Sequence, residues 1–326
     1  MRDASTRATA RHGDPECAAS RADGVGEARA AVPRPPDDAP NQYRSADARE
    51  RAFASYDAVL ARWPVPHESR FLETGFGATH VISFGADDAR PLLLLHGLGT
   101  NATSWFPLVT ALAARHRVHA VDTIGDVGKS TGTRPSYRSG DHARWLDMVF
   151  DGLGVGGALV AGLSAGGWIA LHFALAHPER VERLALLAPA SLQRMSVGMM
   201  LRGAFAMTFP RASLVRSLFR YLAAQEAPVM PEWAIEDVIL RFQLGRPSSV
   251  RIPVVRDAEL TALRVPTLLV LGRNDPIYDA TRAAARVRSV APQIRIEIIR
   301  DGGHLFVSHR PGDTSEALLE FFGPAR

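Results

Sequence analysis

Residues 158–176, "ALVAGLSAGGWIALHFALA", decide the fold of this chain. Ala158 to Leu163 form a continuous apolar run of strand length, and the residues after Ser164 continue for about three turns of helix formers. Between the two lies Gly162-Leu163-Ser164-Ala165-Gly166, a G-x-S-x-G pattern. A strand that passes straight into a helix must turn sharply. Such a turn lifts the serine hydroxyl above the sheet, and only glycine leaves room on either side of it. The backbone N–H groups that follow the serine then sit at a helix N-terminus, where developing negative charge is stabilised.

Outward from this turn, short apolar runs alternate with longer amphipathic ones. "PLLLLHG" (91–97), "RVHAVD" (117–122), "RLALLAPA" (183–190), "PTLLVLG" (266–272) and "IRIEII" (294–299) read as buried strands. "SWFPLVTALAARH" (104–116), "DHARWLDMVFDGLG" (141–154), "ATRAAARVRSVA" (280–291) and "TSEALLEFF" (314–322) read as helices. Upstream, "RFLETGFGATHVISFG" (70–85) is read as a hairpin, with Gly75 and Gly77 at its turn. The alternation predicts an α/β fold with a mostly parallel sheet, helices on both faces and ligands at the carboxyl ends of the strands. One segment breaks the rhythm. Residues Ser191 to about Ala262 hold no clear strand but many helix formers, with Met195, Met199, Met200, Phe205, Met207, Phe209, Phe219, Tyr221 and Trp233. That is too long for a connection, and predicts a helical lid of about 191–262 between the sixth and seventh strands, whose thioether and aromatic side chains form an adaptable apolar pocket.

Composition sets limits around this reading. With 326 residues, 46% hydrophobic and 22% charged, the chain can bury a large core. Net charge is only +4, the basic side is almost all arginine with Lys129 the sole lysine, and no arginine cluster interleaved with aromatics suggests a nucleic-acid face. No apolar run approaches the roughly 20 residues that span a bilayer. Residues 1–48 lack hydrophobic periodicity and read as a disordered leader before a domain at 49–326. Cys17, the one cysteine, lies in that leader, so neither a disulfide framework nor a thiolate metal site is expected. The leader has neither the apolar core of a secretory signal nor the acid-poor make-up of a transit peptide, and a cytoplasmic protein is expected.

Serine is a weak nucleophile until a base takes its proton and an acid orients that base. In this architecture the chain order is Ser, then Asp or Glu, then His. Asp275, in "LLVLGRNDPIYD", stands just past a strand end, and His304, in "IEIIRDGGHLF", occupies a glycine-flanked loop after the next strand. Asp279 and Asp301 are the rivals for the acid. An oxyanion hole needs two N–H groups. Ala165 is expected to supply one, and "HGLGT" (96–100) the other, from Leu98, with His96 and Gly97 shaping the turn. His116 and His119 are read on one strand, where an offset of three sends side chains to opposite faces, so no metal site is expected. "DTIGDVGKS" (122–130) ends like a phosphate-binding loop, yet Thr123 stands where that loop needs its first glycine, which argues against a nucleotide.

These motifs together resemble the α/β-hydrolase superfamily over about Tyr56 to Phe322. Within it, "YDAVLARWPVP", "HGLGT", "AVDTIGDVGKS", "GLSAGG", "LRVPTLLVLGRNDPIYD" and "GGHLF" look like bacterial carboxylesterases that cleave aryl-alkanoate esters. The resemblance implies a cofactor-free hydrolase acting on a small-molecule ester through Ser164, His304 and Asp275. It makes "DTIGDVGKS" a turn beside the active-site mouth. Serine at position 164, rather than aspartate, sets aside epoxide and halide chemistry. A C–C bond hydrolase, lactonase, thioesterase or perhydrolase would use the same triad, and a small-ligand sensor could keep the fold. Whether the protein is a monomer or a homodimer is not legible in the sequence.

Overall fold

The structure, a computed structural model, describes residues 42–225, 230–246 and 250–324. Cys17 and most of the expected leader lie outside these residues. The boundary near residue 48 needs correction. Tyr43 is buried, its hydroxyl donates to the Gly128 carbonyl at 2.8 Å, and helix α1 begins at Ala46, capped by Ser45. Residues 42–48 look detachable only until Tyr43 and Ala48 are seen against Leu244.

After α1 (Ala46–Leu60), the chain forms the hairpin β1 (His67–Thr74) and β2 (Gly77–Phe84), then β3 (Pro91–Leu95). A 3-10 segment (Ala102–Leu108) follows and carries Pro107, so the expected helix becomes regular only in α2 (Val109–Ala113). Next come β4 (Arg117–Val121), the two-residue β5 (Thr131–Gly132), α3 (Asp141–Leu153), β6 (Ala158–Leu163), α4 (Ala165–Ala176) and β7 (Val181–Leu187). Helices α5 (Val197–Thr208), α6 (Ala212–Ala223), α7 (Glu232–Leu244) and α8 (Asp257–Ala262) precede β8 (Thr267–Gly272). The chain closes with α9 (Ala280–Val290), β9 (Arg295–Ile299), the short α10 (Phe306–His309) and α11 (Pro311–Phe322). The sequence missed β5, so the strands it counted sixth and seventh are β7 and β8.

The sheet order is β1-β2-β4-β3-β6-β7-β8-β9, with β5 paired to β2. The β1–β2, β2–β4 and β2–β5 pairings are antiparallel and every pairing from β4 to β9 is parallel. Because β3, β6 and the inner part of β7 (Leu184–Leu187) and β8 (Leu268–Leu271) are covered on both faces, their side chains are apolar without alternation, and Leu92 to Leu95 are fully buried. One core lies on the α3/α4 face and a second on the face covered by α11 and the 3-10 segment. From β3 the chain steps one way to β4, whereas β6 lies on the other side of β3, so the loops leaving β3 and β6 diverge and open a crevice at their carboxyl ends.

Two expectations about side chains change. Met195, Met200, Phe205 and Phe209 are about half exposed, and none of them belongs to the lining of either cavity described below. His116 stands just ahead of β4, and His119 within it hydrogen-bonds Ser83 of β2 at 2.8 Å through Nδ1. Among the described residues, no helix is long and apolar enough to cross a membrane.

Candidate active site

Ser164 occupies the corner between β6 and α4 with φ +52° and ψ −113°, a conformation that costs a non-glycine residue on the order of 1–3 kcal/mol. Three backbone bonds hold it there. Its N–H donates to Leu187 O at 2.9 Å, and its carbonyl accepts from Ala190 N at 2.8 Å and Trp168 N at 3.1 Å. The glycines around it answer to close approach. A Cβ on Gly162 would lie 2.3 Å from Gly166 O, and one on Gly166 would lie 2.2 Å from Leu95 O. Strand, helix and the end of β3 are therefore packed backbone to backbone, and Ala165 becomes the first residue of a buried helix.

Across the crevice, "HGLGT" follows β3. A Cβ on Gly97 would fall 3.5 Å from Ser164 Cβ, so the two turns are in contact. His96 is buried and committed on both ring nitrogens: Thr123 N–H donates to Nε2 at 2.9 Å, which leaves the proton on Nδ1 to donate to Gly97 O at 2.9 Å. Thr100 Oγ1 donates to the same carbonyl at 2.7 Å. The ring thus pins the turn that carries Leu98 and has no nitrogen left to act as a base.

At the ends of β8 and β9, His304 Nδ1 meets Asp275 Oδ2 at 2.7 Å, with the Asp275 side chain fully buried and that of His304 7% exposed. Asp275 Oδ1 accepts from Ile277 N–H at 2.8 Å, so both oxygens are engaged. The rivals are occupied elsewhere. Asp279 caps α9 through Arg282 N–H, and the largely exposed Asp301 faces Arg310. His304 N–H donates to Leu222 O at 2.6 Å, in the last turn of α6, and a Cβ on Gly303 would lie 2.3 Å from the Ala223 backbone. The helical insertion therefore grips the histidine loop directly. Sequence reasoning missed this contact, and only the paired glycines 302 and 303 hinted at a close approach.

The "DTIGDVGKS" stretch wraps a carboxylate of its own. Buried Asp122 accepts from Ala102 N–H at 2.7 Å, Lys129 N–H at 2.8 Å, His80 Nδ1 at 3.0 Å and Tyr56 O–H at 3.2 Å. Burial alone would raise its pKa, but the bond and charge of His80, with the other donors, hold it below the usual carboxylate range. Gly128 is glycine because a Cβ there would lie 2.6 Å from Asp122 Cγ. Lys129 Nζ pairs with Asp57 and lies over the Tyr56 ring. Among the described residues no group of three His, Cys, Asp or Glu side chains is placed to hold a metal ion.

Two cavities border the crevice. One of about 100 Å³ is walled by Thr100, Leu163, Phe219, Met230, Trp233 and Leu305, so it touches the chain neighbours of both Ser164 and His304. A smaller one, about 50 Å³, is lined by Leu98 and Gly99 on one side and Met207 and Phe242 on the other. Of the residues expected to build the lid pocket, Met207, Phe219 and Trp233 reach these cavities.

Residues 90–311 match the family described as alpha/beta hydrolase fold. The chain is 34% identical over 283 residues to a carboxylesterase, nap, of Bacillus subtilis (strain 168), covering 83% of this chain and 92% of that one. With carboxylesterase YbfK of the same strain it shares 32% identity over 291 residues, covering 86% and 96%. The crystal structure of naproxen esterase (carboxylesterase NP) from Bacillus subtilis superposes with a TM-score of 0.79 at 32% identity, covering 86% of this chain and 99% of that one.

Proposed function

The chain belongs to the alpha/beta hydrolase fold family, and we propose that within it the protein is a serine carboxylesterase that cleaves small-molecule esters through Ser164, His304 and Asp275. The observation that carries this reading is the 2.7 Å Asp275–His304 hydrogen bond, at the same carboxyl edge of the sheet as the strained Ser164 turn. Its likeness to two carboxylesterases at above 30% identity supports the choice of esters.

Ser164 Oγ attacks the ester carbonyl while His304 Nε2 takes its proton. Asp275 holds the ring by Nδ1 and stabilises the imidazolium that forms. Charge developing on the carbonyl oxygen falls between the N–H of Ala165, at the start of α4, and that of Leu98 on the pinned turn. His304 returns the proton to the departing alcohol, and water then repeats the sequence on the acyl-enzyme. Helices α5 to α7 act as the lid, and their hold on His304 through Leu222 couples lid position to the base. Hydrolysis of p-nitrophenyl butyrate is the test: Ser164→Ala should lower kcat by about 10⁴-fold or more while keeping the wild-type Tm. Equal turnover by wild type and Ser164→Ala would end the assignment.

A further inference from the structure

The smaller cavity, beside Leu98 and Gly99, carries more positive charge than an ester needs. Arg134, Arg241 and Arg246 line it, and Asp126 is the only carboxylate in the same lining. Two of the three guanidinium groups are engaged by their surroundings: Arg134 by Asp126 at 3.0 Å and the Gly125 carbonyl, and Arg246 Nε by Tyr43 O at 2.7 Å. Arg241 differs. Its side chain is 7% exposed, its Nη2 meets Asp237 Oδ2 at 2.9 Å, and its Nε and Nη1 are buried with no hydrogen-bond partner among the described residues.

A buried donor without a partner is costly, and a guanidinium with two such nitrogens is more so. Asp237 is also shared, since its Oδ1 accepts from Ser55 Oγ at 2.6 Å. The linings of the two cavities together hold three arginines, Arg134, Arg241 and Arg246, and two carboxylates, Asp126 and Asp237. Arg241 also lines the larger, apolar cavity that touches Leu163 and Leu305, so it stands at the junction of the two.

We propose that Arg241 binds a carboxylate on the substrate, and that the preferred esters are half-esters of dicarboxylic acids, with one end at Ser164 and the free carboxylate at the Arg241 junction. This rests on the ester-hydrolase reading above. A planar guanidinium offers a carboxylate two edges of parallel N–H donors, Nε with Nη2 and Nη1 with Nη2; with one Nη2 N–H on Asp237, the other completes an edge with the partnerless Nε or Nη1. The apolar cavity takes the methylene chain, and chain length sets whether the carboxylate reaches Arg241.

The test is a series of monomethyl esters, succinate to suberate, each set against its dimethyl ester. Wild type should favour the monoester in kcat/KM by at least about tenfold at one chain length, and Arg241→Met should remove that preference. Arg241→Lys, which keeps the charge and loses the fork, should retain part of it. The ratio is taken on one preparation, so loss of folded protein does not move it, whereas a purely structural role for the Arg241–Asp237 pair would leave it unchanged. Calorimetry of the free diacids with Ser164→Ala separates the two readings. Binding that disappears in Ser164→Ala/Arg241→Met supports the anion site even if no ester is turned over. Where esters are turned over, monoesters favoured at no length, or a preference that survives Arg241→Met, would overturn the proposal, as would diacids that fail to bind.

Discussion

Two buried Asp–His pairs lie on either side of the central strands β3 and β6, joined through the same ring atom. In one, His304 Nδ1 meets Asp275 at 2.7 Å; in the other, His80 Nδ1 meets Asp122 at 3.0 Å. They differ in what surrounds them. Asp275 and His304 lie on loops beyond the parallel strands β8 and β9, where chain neighbours of His304 line a cavity. His80 is inside β2, fully buried, and its Nε2 has no partner among the described residues. Asp122 spends its carboxylate on two backbone N–H groups, a tyrosine hydroxyl and the histidine, tying α1, β2, β4 and the 3-10 segment together. An Asp–His hydrogen bond therefore does not by itself make a base. The far nitrogen must face a space that a substrate can enter.

The comparison breaks first, and most visibly, in turnover. Asp275→Asn should lower kcat by about 10³–10⁴-fold with little change in Tm, because the ring loses its orienting acceptor and the imidazolium its counter-charge. Asp122→Asn should do the reverse. It weakens a buried carboxylate that four donors share, costing on the order of 3–5 kcal/mol in urea unfolding, while kcat per folded molecule changes far less. A large kcat loss in Asp122→Asn with unchanged stability would erase the distinction.

Acid should separate the two sides further. His119, paired to Ser83 in the same β2–β4 contact, has its pKa lowered from 6.5 to about 4, chiefly by burial and then by Arg117 and Arg70. The unfolded chain takes up this proton first, so stability falls as pH drops from about 6.5 to about 4, by on the order of 2–3 kcal/mol. Buried His142 adds to the same window, its pKa likewise lowered to about 4. Asp122, held below the usual range, contributes stability above the ordinary carboxylate pKa of 3.8 and loses it as pH falls through its folded value. Urea melts from pH 7 to 3 should show both windows, with His119→Asn flattening the upper one and Asp122→Asn the lower. The smallest effect is expected from Lys129→Met. Its partner Asp57 is 61% exposed, so the loss should stay under about 1 kcal/mol, and ATP should leave the Tm of the wild type unchanged.

Much of the framework is local, and so it was legible. The elbow, the hairpin at Gly75 and Gly77, and the strand–helix alternation rest on neighbours within a few residues, where periodicity and turn chemistry act. Chain order then pointed to Asp275 and His304, and the structure pairs them, while Asp279 is spoken for as a helix cap. Other features were invisible because their partners are remote in sequence. Tyr43 looked like part of a leader until Gly128, 85 residues on, was placed against it. The insertion's methionines and aromatics read as a pocket, but hydrophobicity alone does not say which helix face is covered, and four of them are half exposed.

The sequence by itself determined an α/β scaffold, a serine at a strained turn and the order of its candidate partners, because short-range sterics and binary patterning suffice for those. Only the tertiary structure decided which of two Asp–His pairs has chain neighbours lining a cavity, that α6 grips the histidine loop, and that Arg241 is left buried with donors to spare. Each of those depends on distances between residues far apart in the chain, and packing, not local propensity, sets them.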